Sequence, residues 1–311
     1  MKLYKRKPGD RAPLGQPDPY MIKASDGRYY IYATGPAGPQ LYSSDHLTDG
    51  WEYEGVCLDM TGQKNCWAPC VLEIDGTYYM YYSSMDADSD DEHGQTMRVA
   101  ISDSPHGPFR KVKDLLPPFS IDPHTVATPS GLYFFYCQNV YEAERVGTVI
   151  VCDKMKDPLT VEGKPVCVVR PTMDEEIYQR DRFRKGEHWH TIEGAFYFCV
   201  GETHFLMYSG ACHQNPTYFI GYSVAHGAPD ADLRTLDWKK YPDDHTYAPL
   251  ISKTDTIEGM GHNSVLLDGG KYYIVYHGRD ITDSQPAEDS RCARIDELKI
   301  DGDKLSVQVT E

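Results

Sequence analysis

Asp18-Pro-Tyr-Met-Ile-Lys-Ala-Ser-Asp-Gly-Arg-Tyr-Tyr-Ile-Tyr-Ala-Thr34 is the first of five copies of one phrase. The second is Ala68-Pro-Cys-Val-Leu-Glu-Ile-Asp-Gly-Thr-Tyr-Tyr-Met-Tyr-Tyr82, and the third is Asp122-Pro-His-Thr-Val-Ala-Thr-Pro-Ser-Gly-Leu-Tyr-Phe-Phe-Tyr136. The fourth is Glu193-Gly-Ala-Phe-Tyr-Phe-Cys-Val-Gly-Glu-Thr-His-Phe-Leu-Met-Tyr208, and the fifth is His262-Asn-Ser-Val-Leu-Leu-Asp-Gly-Gly-Lys-Tyr-Tyr-Ile-Val-Tyr276. Each has a polar or small head, a short apolar strand, a tight turn and an aromatic strand. Hairpins repeated at intervals of roughly 50 to 70 residues indicate radially arranged sheets. The expected fold class is therefore all-β, a five-bladed β-propeller with a central axial cavity. A single domain is expected over residues 1–311.

Working outward from the hairpins, each unit completes four strands. Gln40-Leu-Tyr-Ser-Ser44 and Trp51-Glu-Tyr-Glu-Gly55 follow the first hairpin, Met97-Arg-Val-Ala-Ile-Ser102 and Phe109-Arg-Lys-Val112 the second. No long amphipathic helix pattern intervenes. The N-terminal segment is expected to complete a late blade. Two stretches break the grammar. Residues 86–94, with alternating Asp, lack the Gly and Glu of a calcium loop and read as a solvated hairpin tip. Residues 174–190 are charged and read either as a rim loop over the cavity or as a surface insertion.

Composition narrows the partners. Among 311 residues the formal net charge is -16, which repels a polyanion, so no nucleic-acid partner is expected. Hydrophobic content of 40% supports a packed core. The basic start is not followed by an apolar run, so the chain is read as cytoplasmic, and no stretch approaches a membrane span. Nine scattered cysteines then read as reduced core residues, and Cys66 and Cys70 lack a second pair for zinc.

If the copies are equivalent blades, their heads Asp18, Asp122, Glu193 and His262 face one axis. Three carboxyl groups around one cavity suit glycosidic bond cleavage, which needs one protonated and one ionised carboxyl. A single Asp-Pro is commonly just a turn. Its recurrence at one repeat position turns it into a site hypothesis.

These words, in this order, resemble glycoside hydrolase family 43, the five-bladed propellers of β-xylosidases, α-L-arabinofuranosidases and arabinanases. The resemblance implies that Asp18, in Gln-Pro-Asp-Pro-Tyr, is the catalytic base. It implies that Asp122, in Ile-Asp-Pro-His, stays ionised and modulates the acid. It makes Glu193, in Thr-Ile-Glu-Gly-Ala, the general acid. Trp67 in Trp-Ala-Pro resembles the aromatic wall of the sugar pocket. Arg291 matches an arginine that binds sugar hydroxyls and steadies the acid, with Arg279 and Arg294 as rivals. His262 resembles an axial histidine that in many members touches Ca2+ or another ion. Cys70 stands where an acidic residue is common. No organic cofactor is implied.

The expectation is an inverting, exo-acting hydrolase that releases L-arabinofuranose or D-xylose from oligosaccharides, with a slight preference for arabinofuranosides. An endo-arabinanase and an invertase-like retaining propeller are alternatives. So is a phosphorylase using the Arg180-Asp-Arg-Phe-Arg-Lys185 stretch, and so is a non-catalytic sugar-binding propeller.

Overall fold

A computed structural model describes residues 1–6, 9–283 and 289–311. Among the described residues five antiparallel blades follow one another along the chain with their strands in sequence order, blades III and IV being joined into one ten-stranded sheet. Blade I comprises Tyr20–Lys23, Tyr29–Ala33, Gln40–Ser44 and Glu52–Val56. Blade II comprises Gln63–Ile74, Thr77–Asp86, Thr96–Ser102 and Arg110–Leu116. Blade III contains Ser120–Thr128, Gly131–Val140 and Gly147–Asp157, edged by Thr160–Val161 and Val166–Val169. Blade IV contains Trp189–Val200, Thr203–Gly210, Phe219–His226 and Lys239–Lys240. Blade V contains Ile257–Asp268, Lys271–Asp280, Cys292–Asp301 and Lys304–Val307. Blades III and IV are also stitched by a short parallel pairing, Gly147 with His190 and Thr148 with Thr191.

The unbroken aromatic runs have a simple cause. Side chains alternate between the two faces of a strand, and here both faces are buried. Tyr30 and Tyr32 pack with Val71 and Met80 of blade II. Tyr29 and Ile31, the intervening residues, pack with Val275 and Ile295 of blade V. The same division recurs around the ring. Tyr81 meets Phe134 between blades II and III, and Phe135 meets Tyr197 between III and IV. Phe205 meets Ile274 between IV and V. Five hydrophobic clusters thus fill five seams, and the fifth joins the last blade to the first.

The N-terminal residues reinforce that closure, as expected. The Leu3 N–H donates to the Ala293 carbonyl and the Ile295 N–H donates to the Met1 carbonyl, both at 2.9 Å. They run beside the third strand of blade V, where Lys2 bridges Arg294.

The two interrupting stretches sit on one rim. Residues 86–94 form a largely exposed loop with one short 3-10 turn, Glu92–Gly94. Residues 174–190 hold another such turn, Asp174–Glu176, and the strand Ile177–Gln179, which pairs with Trp189 and His190. The fully buried Glu176 anchors this insertion, accepting the Thr172 and Met173 N–H groups and the Lys240 ammonium. Among the described residues no helix is long and apolar enough to cross a membrane.

Candidate active site

Four blades break their first hairpin at the same place. In blade II, Trp67 pairs with Ser83 and Cys70 with Tyr81, so two residues oppose one. The same bulge lies between Ile121 and His124, between Glu193 and Phe196, and between Gly261 and Ser264. The first bulged residue takes the left-handed conformation: Ala68 (φ 43°), Asp122 (55°), Gly194 (63°) and His262 (46°), with Asp18 (54°) in blade I. Such bulges re-aim side chains and are common beside active sites.

This geometry corrects the alignment of the repeat heads. Asp18, Asp122 and His262 are equivalent, but Glu193 is not their counterpart; Gly194 is. Glu193 stands one residue earlier and corresponds to Trp67 and Gly261. Glycine at 194 leaves room for the neighbouring histidine, since a Cβ there would lie 3.1 Å from the His262 ring. Gly261 does the same for Tyr218, whose ring occupies the space a side chain would need.

A bulge strips an N–H from the ladder, and the neighbouring side chain takes it. The Asp18 N–H donates to His277 Nδ1 at 3.0 Å, Ala68 N–H to Thr34 Oγ1 at 2.7 Å, and His262 N–H to Ser209 Oγ at 2.7 Å. The Gly194 N–H goes to the Asp122 carboxylate at 3.1 Å. Thr34, Ser209 and His277 were missed in the sequence. Their signal is present, however: a polar residue closes the aromatic strand in Tyr-Ala-Thr34, Tyr-Ser209 and Tyr-His277.

The structure brings Asp18, Asp122, His262 and Arg291 together, with Glu193 beside them. Asp18 Oδ1 lies 3.3 Å from Arg291 Nη1, from His262 Nδ1 and from His277 Nδ1. Its Oδ2 accepts from Thr34 Oγ1 at 2.6 Å. His262 Nδ1 is also 3.9 Å from Asp122 Oδ2. Glu193 Oε1 accepts from the Tyr218 hydroxyl at 2.7 Å. Tyr218, another residue missed in the sequence, stacks on His277 with 6° between the planes, so one ring touches both the acid and the partner of Asp18.

Electrostatics separate the three carboxyls. Burial opposes ionisation of Asp18, yet the Arg291 guanidinium, with His262 and His277, holds it well below the usual carboxylate range. Burial raises Glu193 to about 7; the Tyr218 hydrogen bond opposes this and the Asp18 charge adds to it. Burial, then the charges of Glu193 and Asp18, also push Asp122 well up, against the Gly194 N–H. Asp122 and Glu193 therefore titrate as a pair and hold a proton near neutrality. The ionised Asp122 expected from the sequence is one microstate of that pair.

Arg291 contacts Asp18 at 3.3 Å, its charge also bears on Glu193, and its Nε and Nη2 grip Asp289 at 3.0 and 2.6 Å. Its rivals are occupied: Arg279 donates to the His213 and Gln214 carbonyls, and Arg294 pairs with Asp280. Replacing Arg291 by Met is expected to move the acid limb of the kcat/KM profile up by roughly 1–3 pH units, the usual effect of an arginine on a neighbouring Asp. Arg291→Lys should restore part of the shift. An unmoved limb in a folded Met variant would remove Arg291 from this role.

Trp67 is partly buried against the cluster holding Ile121 and flanks its bulge as Glu193 does. Cys70 is fully buried and, with Tyr20, His124, Phe196 and Ser264, lies two residues beyond the left-handed positions, in the layer that follows the carboxyls. His124 and Phe196 rings lie 4.3 Å apart there, and Tyr20 Oη is 3.3 Å from His124 Nδ1. Burial drops His124 to about 3 and lifts the Cys70 thiol to about 11, so both are neutral.

The structure gives His262 a different partner from an ion: its Nδ1 faces Asp18, whose charge Arg291 already balances. Among the described residues no group of three or more His, Cys, Asp or Glu side chains is disposed to hold an ion.

Comparisons with known proteins identify the family. The profile of the family described as Glycosyl hydrolases family 43 matches residues 12–305. A solved structure of a thermostable family-43 glycoside hydrolase superposes with TM-score 0.79 at 31% identity, covering 95% of this chain and 93% of that one. The extracellular exo-α-(1→5)-L-arabinofuranosidase of Streptomyces chartreusis is 26% identical over 84% of this chain and 79% of its own length. A probable arabinan endo-1,5-α-L-arabinosidase C of Aspergillus clavatus is 30% identical over 148 residues, spanning 39% of this chain and 42% of that protein. With a family match running through all five blades, the chain belongs to glycosyl hydrolases family 43 and is a glycosidase.

Proposed function

We propose that the protein is an inverting, exo-acting pentosidase that removes L-arabinofuranose, and secondarily D-xylose, from the ends of plant oligosaccharides. The observation carrying this reading is the separation of the carboxyls: Asp18 held ionised, the Asp122–Glu193 pair holding a proton. That is the division a direct displacement by water requires.

Asp18 accepts a proton from a water, and the water oxygen bonds to the anomeric carbon. The glycosidic C–O bond breaks on the opposite face. Glu193 gives its proton to the departing oxygen. Burial and the Asp18 charge keep Glu193 protonated beforehand, and Asp122, which shares that proton with it, orients it through the Gly194 backbone. Trp67 walls the pocket, and product release lets Asp18 return its proton to solvent. The Arg180–Lys185 stretch is poorly placed to receive phosphate, because Arg184 pairs with Glu187 and Arg182 lies over the Trp189 ring. The similarity to an exo-acting arabinofuranosidase supports the sugar.

Proton NMR of an aryl α-L-arabinofuranoside digest tests the mechanism. The first-formed arabinose should have the β configuration and mutarotate afterwards. Initial α-arabinose would overturn inversion. Faster turnover of aryl β-D-xylopyranoside would reverse the sugar preference, and release of internal fragments before monosaccharide from linear arabinan would replace exo by endo.

A further inference from the structure

The rim insertion of residues 174–190 carries a second feature on the catalytic face. Loops between the second and third strands of blades IV and V supply Tyr218 and Arg291 to the carboxyls. The equivalent loop of blade III, residues 141–146, and the crossing into blade IV therefore emerge on that same face. Between them lies a cavity of about 510 Å³, lined by Tyr141, Phe183, Arg145, Glu187 and His188 among others.

Its aromatic side chains are arranged outward. Tyr141 is 63% exposed and Phe183 57%. Both pack on Trp189, 5% exposed, with ring centroids 5.3 and 6.0 Å away. Trp189 is thus a buried footing for two exposed rings, and Arg182 covers it further at 5.0 Å.

The loop bearing Phe183 is tied to itself. The Gly186 N–H donates to Asp181 Oδ1 at 2.6 Å, Arg182 N–H to the Glu187 carbonyl at 2.9 Å, and Asp181 N–H to His188 Nδ1 at 3.0 Å. Arg182 also reaches His93 of the 86–94 loop at 3.4 Å, joining both interrupting stretches. Several of the charges are paired, Arg145 with Asp174 and Arg184 with Glu187, while Glu144 and Arg182 add one charge of each sign. Exposed rings among charges of both signs suit a neutral polyhydroxylated ligand rather than a phosphate or an acidic peptide.

We propose that this patch is a distal saccharide platform that holds the chain of the polymer whose end is cleaved. This rests on the glycosidase reading. Trp189 and Glu193 share one strand, four residues apart, so the platform lies about 13 Å along that strand from the acid. A ligand spanning both must be an oligosaccharide of several units. Aryl pentosides reach only the pocket.

The test uses full-length wild type, Phe183→Ala and Tyr141→Ala, both at exposed positions. Hydrolysis is followed for an aryl arabinofuranoside and for linear arabino-oligosaccharides from disaccharide to hexasaccharide. Wild-type kcat/KM should rise with length. Each variant should lose about tenfold on the hexasaccharide, as loss of one stacking partner predicts, and nothing on the aryl substrate. Calorimetric binding of uncleaved hexasaccharide to Glu193→Gln should weaken when Phe183→Ala is added. Overlapping length profiles, or equal affinity with and without Phe183, would overturn the platform. A wild type inactive on every aryl pentoside would instead overturn the proposed function, and hexasaccharide affinity would still judge the platform.

Discussion

Glu193→Gln lowers kcat/KM on an arabino-oligosaccharide by about 10²–10⁴-fold, the range general acid catalysis supplies. On a dinitrophenyl glycoside, whose leaving group departs without a proton, the loss is far smaller. The pH profile separates this from a structural defect. Glu193 is raised to about 7, so wild-type activity falls as pH rises through that region, and the variant lacks this limb. Stability changes in the matching direction. A carboxyl whose folded pKa is raised contributes stability below its ordinary range and loses it as pH climbs through the folded value. Glutamine does not ionise, so the variant should melt higher than wild type above pH 7 and at the same temperature in acid. Equal losses on both leaving groups would show that Glu193 is not the acid.

Asp18→Ala is expected to cost as much, about 10²–10⁴-fold, but on all substrates alike, because the nucleophilic water is lost whatever the leaving group. Azide should rescue it. The small anion fills the space of the deleted carboxylate and attacks the anomeric carbon itself, forming a glycosyl azide of inverted configuration. Wild type should gain nothing from azide. Absence of rescue in a folded variant would make Asp18 a positioning group for Arg291 and His262, not the base. Because Asp18 is held well below the ordinary carboxylate range, the wild-type acid limb should lie low, leaving a broad plateau before the fall near 7.

The ring was legible because both faces of its strands are buried. Tyr29, Tyr30, Ile31 and Tyr32 alternate between two seams, which leaves a continuous apolar run that few folds require. The outer strands of blade III were not legible. Val166–Val169 is short and partly exposed, so no strong pattern marks it. Asp18 and Asp122 were found because one word repeats around them. The one-residue displacement of Glu193 was hidden, because equivalence there is set by a backbone angle and the matching residue, Gly194, has no side chain to read. Arg291 was found by position but its partner was not, since contact with Asp18 depends on closure of the last blade against the first. The layer made by Tyr20, Cys70, His124 and Phe196 needed the bulges to be placed first.

The left-handed bulges have an evolutionary consequence. Outside glycine that conformation costs on the order of 1–2 kcal/mol, less for Asp than for most residues. Asp18, Ala68, Asp122 and His262 all carry it, and only Gly194 escapes. Selection for heat resistance alone would favour glycine at each of them, while the cluster of charges around Asp18 pushes the same way. Ala68, which offers no chemistry in exchange, is the first position such selection would change. Asp18 and Asp122 persist only while cleavage is rewarded. A descendant freed from that demand would drift toward a sturdier ring that still holds sugar and no longer cuts it.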